Sequence, residues 1–134
     1  MSFFQDTAMV YDTVGATIQT IERLAPEAVA AVAKGRVNMC LQLTAPDAAI
    51  TIYGKNRPPN IEYGPTTGKA NLTITMSADL FHEILLQRQS IGDAFKAGHV
   101  KIKGPIFKLM TMGKIIEAGQ KYYPDILTEK GYVV

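Results

Sequence analysis

Apolar and polar positions along the chain change their period twice. Over residues 3–24, Phe4, Ala8, Tyr11, Val14, Ile18 and Ile21 recur at spacings of three and four, with Asp6, Asp12, Gln19 and Glu22 elsewhere. That spacing predicts an amphipathic helix. Pro26 suits a first helical position, and Gly35 suits a left-handed cap, so a short alanine-rich helix is expected between them. From Arg36 the period becomes two. Val37, Met39, Leu41 and Leu43 alternate with Asn38, Cys40, Gln42 and Thr44, the pattern of a strand buried on one face. Ile50 and Ile52 mark a second strand, Asn60 to Tyr63 a third, and Ala70 to Met76 a fourth. The turns between them suggest an antiparallel meander with helices on its apolar face.

Helical spacing then returns. Ser77 is a natural N-cap for a helix carrying Leu80, Phe81, Ile84 and Leu85, and Ser90 for one carrying Ile91, Ala94 and Phe95 that Gly98 ends. Val100 and Ile102 alternate with His99, Lys101 and Lys103 in a short fifth strand. After Gly104-Pro105 a last helix is expected from Ile106 to about Tyr122. The whole reads as α+β, a single five-stranded, mostly antiparallel sheet with helices covering one face. Residues 1–134 are expected to form one domain.

The last helix stands out. Ile106, Leu109, Met110, Gly113 and Ile116 form one stripe, widened by Phe107, Met112 and Ile115, while Lys108, Thr111, Lys114, Ala118 and Lys121 mark the wetter side. So wide an apolar arc exceeds what a helix lying on one sheet needs. Methionine adapts to irregular ligands, and Gly113 and Gly119 weaken the helix so that it can shift.

Composition narrows the function. The 134 residues are 47% apolar and 19% charged, far from a disordered composition. No apolar run approaches the roughly 20 residues of a membrane span, and the N-terminus lacks the features of a secretory signal, so a cytoplasmic location is expected. The single Cys40 offers neither a disulfide nor zinc spacing. His82 and His99 have no partner at ligand or relay spacing and read as structural or surface groups, so no catalytic residue, metal site or cofactor is expected. Charge is uneven: residues 88–121 carry seven basic groups against Asp93 and Glu117, a net of +5. Lys101, Lys103, Lys108 and Lys114 could therefore touch an anionic membrane surface transiently. Without an arginine-rich run or tryptophan, a nucleic-acid partner is not expected.

Three segments in order resemble the sterol carrier protein type 2 family. They are Ala70-Asn71-Leu72-Thr73-Ile74-Thr75-Met76-Ser77-Ala78-Asp79, then Ala94-Phe95-Lys96-Ala97-Gly98, then Val100-Lys101-Ile102-Lys103-Gly104. The resemblance implies a non-enzymatic, sterol-carrier-like domain for lipid binding and lipid transport. Its ligands would be fatty acids, acyl-CoA esters, sterols or isoprenoid lipids, held in a hydrophobic tunnel. An accessory module for a lipid- or quinone-modifying enzyme is the alternative it leaves open. Taken with the last helix, it places the tunnel between Phe81, Leu85, Phe95, Ile106, Leu109, Met110, Met112 and Ile116.

Overall fold

A computed structural model describes residues 2–133. The first helix, α1, runs Thr7–Val10, passes through a π-helical stretch Tyr11–Gly15 and continues Ala16–Leu24. Asp6 caps it by accepting from the Met9 N–H at 2.9 Å. The π-helical stretch advances the phase of the helix. Met9, Val10, Thr13, Val14, Thr17, Ile18 and Ile21 are therefore buried, whereas Ala8 is exposed and Tyr11 only half-buried. Helix α2, Pro26–Lys34, ends at Gly35, but Gly35 has φ −72° and is not the left-handed cap expected. The left-handed residue is Arg36, φ 52°.

Strands β1 (Asn38–Thr44), β2 (Ala48–Tyr53), β3 (Asn60–Tyr63), β4 (Leu72–Ser77) and β5 (Lys101–Lys103) form one sheet in the order β3-β2-β1-β4-β5. The sheet is mostly antiparallel, yet the expected meander stops at β3. Instead of pairing with β3, β4 lies parallel to β1, with Leu41 opposite Ile74 and Leu43 opposite Met76. The connection between β3 and β4 must therefore cross β2 and β1. It does so over the polar face: Thr66 Oγ1 reaches Thr51 Oγ1 at 2.8 Å and Cys40 Sγ at 3.3 Å, and the Gly68 N–H donates to the Tyr53 hydroxyl at 2.9 Å. That covering buries Cys40 and leaves β2 buried on both faces.

The inner face carries Met39, Leu41, Leu43, Ile50, Ile52, Leu72, Ile74 and Met76 into one continuous core with the helices. Helices α3 (Ala78–Leu85) and α4 (Ile91–Lys96) open on the expected caps, Ser77 and Ser90, which accept from the Leu80 and Asp93 N–H groups at 3.1 and 3.0 Å. Gly98 ends α4 at φ +83°. Gly104, which closes β5, has φ +121°, and a Cβ there would meet the Asn71 carbonyl and Leu72 of β4. Only glycine lets the edge strand turn away so close to its neighbour.

The last helix departs most from expectation. Residues Ile106–Met112 form a 3-10 segment, and the α-helix proper, α5, runs Gly113–Glu129, seven residues beyond Tyr122. Among the described residues no helix is long and apolar enough to cross a membrane.

Candidate ligand-binding site

The eight residues expected to line a tunnel separate into two groups. Phe81 and Leu85 on α3, Met112 at the end of the 3-10 segment and Ile116 on α5 are buried in the continuous core. Leu109 is half-buried against that core. Phe95, Ile106 and Met110 are exposed, Met110 at 86%. Helix α5 comes so near α3 that a Cβ on Gly119 would lie 2.7 Å from Leu85 Cδ2, and Gln120 Nε2 donates to the Ile84 carbonyl at 3.1 Å. The site is closed.

The 3-10 segment is turned inside out relative to its sequence. With three residues per turn, Ile106, Leu109 and Met112 share one face, Phe107 and Met110 a second, and Lys108 and Thr111 a third. The polar third face, expected to meet water, is half-buried. Lys108 Nζ donates to the Gly35 carbonyl at 2.7 Å, satisfying an acceptor at the end of α2. Phe107 and Met110 face solvent instead, with Phe107 73% and Ile106 55% exposed. Runs of 3-10 helix beyond three or four residues are uncommon because their hydrogen bonds are poorly aligned, and this one has seven.

The rest of α5 is held tightly, through a residue pair that sequence reasoning missed. His82 on α3 is 4% exposed, and its Nδ1 is hydrogen-bonded to the Tyr123 hydroxyl at 2.6 Å. Phe3 stacks on the imidazole at 3.9 Å, and Phe4 and Tyr123 meet it edge-on. Burial pushes the His82 pKa below its ordinary value; Arg88 also lowers it, and Glu83 and Asp79 oppose the shift. Asp79 in turn accepts from Ser2 Oγ and the Phe3 N–H, both at 3.0 Å, pinning the N-terminal arm over the imidazole. The far end of α5 is tied to α1 by Lys130 and Asp12 at 2.9 Å. His82 thus joins α3, α5 and the N-terminal arm. Its partner lies 41 residues away, beyond any local spacing rule.

A shallow cleft of about 250 Å³ opens where the α1–α2 corner meets α5, lined by Leu24, Ala28, Lys114, Ala118, Lys121 and Tyr122. Its walls mix apolar and charged groups, so it does not match the wholly apolar site the sequence led one to expect.

The arrangement, a sheet with one parallel pair under helices ending in a long C-terminal helix, can be compared with known proteins. The sequence profile of the SCP-2 sterol transfer family matches residues 18–117. The chain belongs to that family. By sequence alone, no curated protein matches it. Among solved structures, sterol carrier protein 2 from Yarrowia lipolytica in its apo form aligns with a TM-score of 0.62 at 18% identity, over 90% of this chain and 98% of that one. The sterol carrier protein domain 2 of Helicoverpa armigera gives 0.64 at 16%, over 90% and 95%. The UbiJ-SCP2 ubiquinone synthesis protein gives 0.51 at 12%, over 81% and 88%. At these identities the structural likeness establishes the fold. Family membership adds that this is a lipid-binding and transfer domain of a generally non-enzymatic kind. It also explains the three sequence segments: they build β4 with the α3 cap, the end of α4, and β5 with its obligate Gly104.

Proposed function

We propose that the protein, acting over residues 1–134 as one domain, binds and carries apolar ligands. Fatty acids, acyl-CoA esters, sterols and isoprenoid lipids are the candidate classes. The ligand occupies an apolar tunnel that opens between Phe81, Leu85, Met112 and Ile116 when the 3-10 segment moves. Phe95, Ile106, Leu109 and Met110 supply its outer wall. The observation that carries this reading is the winding of Ile106–Met112, which leaves Phe107 and Met110 in water and half-buries Lys108 against Gly35. A segment so wound is poised to change.

The geometry of the change is simple. A 3-10 helix turns about 120° per residue and an α-helix about 100°, so rewinding seven residues swings Ile106 by roughly 120° about the axis relative to Met112. It also shortens the segment by about 3 Å. Ile106, Leu109 and Met110 then become available to a ligand, and each acyl methylene they help to bury contributes about 0.8 kcal/mol. Lys108 leaves the Gly35 carbonyl to water. The likeness to the ubiquinone synthesis protein and the continuous core support a second reading, an accessory module that docks on a lipid- or quinone-modifying enzyme.

Native mass spectrometry of protein purified from cells, followed by lipid extraction, tests the first reading. Co-purified lipid, or stoichiometric binding of a long-chain fatty acid in titration, is the expected result. A protein that yields no lipid and binds neither fatty acid, sterol nor an apolar fluorescent dye would overturn it and favour the second.

A further inference from the structure

We infer that the tip of the molecule formed by Ile106, Phe107 and Met110, rimmed by the lysines of residues 94–116, is a docking surface for anionic lipid bilayers. Large exposed apolar side chains are few among the described residues: Leu24, Phe95, Ile106, Phe107, Met110 and Val133. Four of these six fall between residues 94 and 116. The same stretch holds Lys96, Lys101, Lys103, Lys108 and Lys114 and no aspartate or glutamate. A patch with both properties fits one kind of partner: an apolar layer beneath negatively charged head groups.

The structure arranges these groups usefully. In β5, Lys101 and Lys103 pair with Thr75 and Thr73, which places both on the outer face of the sheet edge, and both are exposed. Lys103 and Phe107 are four residues apart, so at most about 14 Å of chain separates their Cα atoms. Lys114 is exposed at the other end of the 3-10 segment. Lys108 has its amine on Gly35 in this state, 5.7 Å from the centre of the Phe107 ring. Of the four lysines expected to touch a membrane, three are thus free to do so and Lys108 is engaged within the protein. The wedge of Phe107 and Met110 is what sequence charge alone did not disclose.

This inference deepens the carrier reading, since apolar cargo must leave and enter a bilayer, but its test does not require cargo. Co-sedimentation is measured with vesicles of phosphatidylcholine alone and of phosphatidylcholine with phosphatidylglycerol. It is repeated at about 0.1 M and about 1 M salt, over which the screening length falls from about 10 Å to about 3 Å. The wild-type protein is expected on the anionic vesicles only and released by high salt. Lys101→Gln with Lys103→Gln should weaken binding about 30-fold, following about 1 kcal/mol for each basic residue at an anionic surface. Phe107→Ser should weaken it roughly tenfold or more by removing the inserted ring. Both variants should bind a long-chain fatty acid normally in vesicle-free solution. Absence of vesicle binding, equal binding to neutral and anionic vesicles, or wild-type binding by both variants would overturn the inference. Fatty-acid binding without vesicle binding leaves the carrier reading standing and this one refuted; vesicle binding without fatty-acid binding does the reverse.

Discussion

The two parts of the C-terminal helical stretch obey different rules. From Gly113 to Glu129 the sequence behaves as an amphipathic helix should: Ile115, Ile116, Tyr123 and Leu127 are buried, and Lys114, Glu117 and Lys121 are exposed. From Ile106 to Met112 the same logic fails, with Met110 outside and Lys108 half-buried and hydrogen-bonded to Gly35. The first part is fastened by Leu85 against Gly119, by His82 with Tyr123 and by Lys130 with Asp12. The second is fastened mainly by Met112 and by the bond from Lys108 to Gly35. One stretch of chain therefore combines an anchor with a 3-10 segment whose hydrogen bonds are poorly aligned, which we propose to be the less stable of the two. Elements that move in binding are drawn from the low-stability end of a fold.

The contrast is broken most severely at the anchor. Leu127→Ala removes a fully buried side chain and should cost about 2–5 kcal/mol in denaturant unfolding. Met110→Ala removes a similar volume only a few turns away and should stay within about 0.5 kcal/mol of wild type, because its side chain faces water. Equal losses at the two positions would mean that the segment is packed after all.

Tyr123→Phe sharpens the comparison next. It leaves a buried imidazole nitrogen without its hydrogen bond, at a cost of about 1–3 kcal/mol, again read from denaturant midpoints. The same pair sets a pH dependence. Burial lowers the His82 pKa in the folded state, so the unfolded chain takes up protons first as pH falls below about 6.5. Stability contributed by the neutral imidazole is complete above that pH and declines below it, until the folded state also protonates. His82→Gln should flatten this acid-side slope; an unchanged slope would assign it to other groups. The smallest effect is expected from Phe107→Ser, whose unfolding midpoint should match that of wild type, since 73% of Phe107 is already exposed.

Much of the fold was legible because local patterns report local physics. Alternation located the strands, and Ser77, Ser90 and Gly98 marked helix ends by capping and by left-handed geometry. Alternation says which face a strand buries but not which strand lies beside it. The parallel pairing of β4 with β1 was therefore hidden, and with it the burial of Cys40 beneath Thr66. His82 was undervalued because its partner is distant in sequence. The candidate site was legible only as a group of residues with an excess of apolar surface. Their division into buried and exposed sets depends on the 3-10 winding and on a core already filled by Tyr123, Leu127, Phe81 and Leu85, neither of which a helical wheel represents.

Amide hydrogen exchange, followed with and without a saturating long-chain fatty acid, tests the central claim most directly. In the empty protein, amides of residues 106–112 should exchange far faster than those of 119–127. Ligand should protect residues 106–112 as the segment rewinds over it, while leaving the amides of the anchor as slow as before. Ligand that binds without changing exchange in residues 106–112, or that instead loosens residues 119–127, would contradict the account.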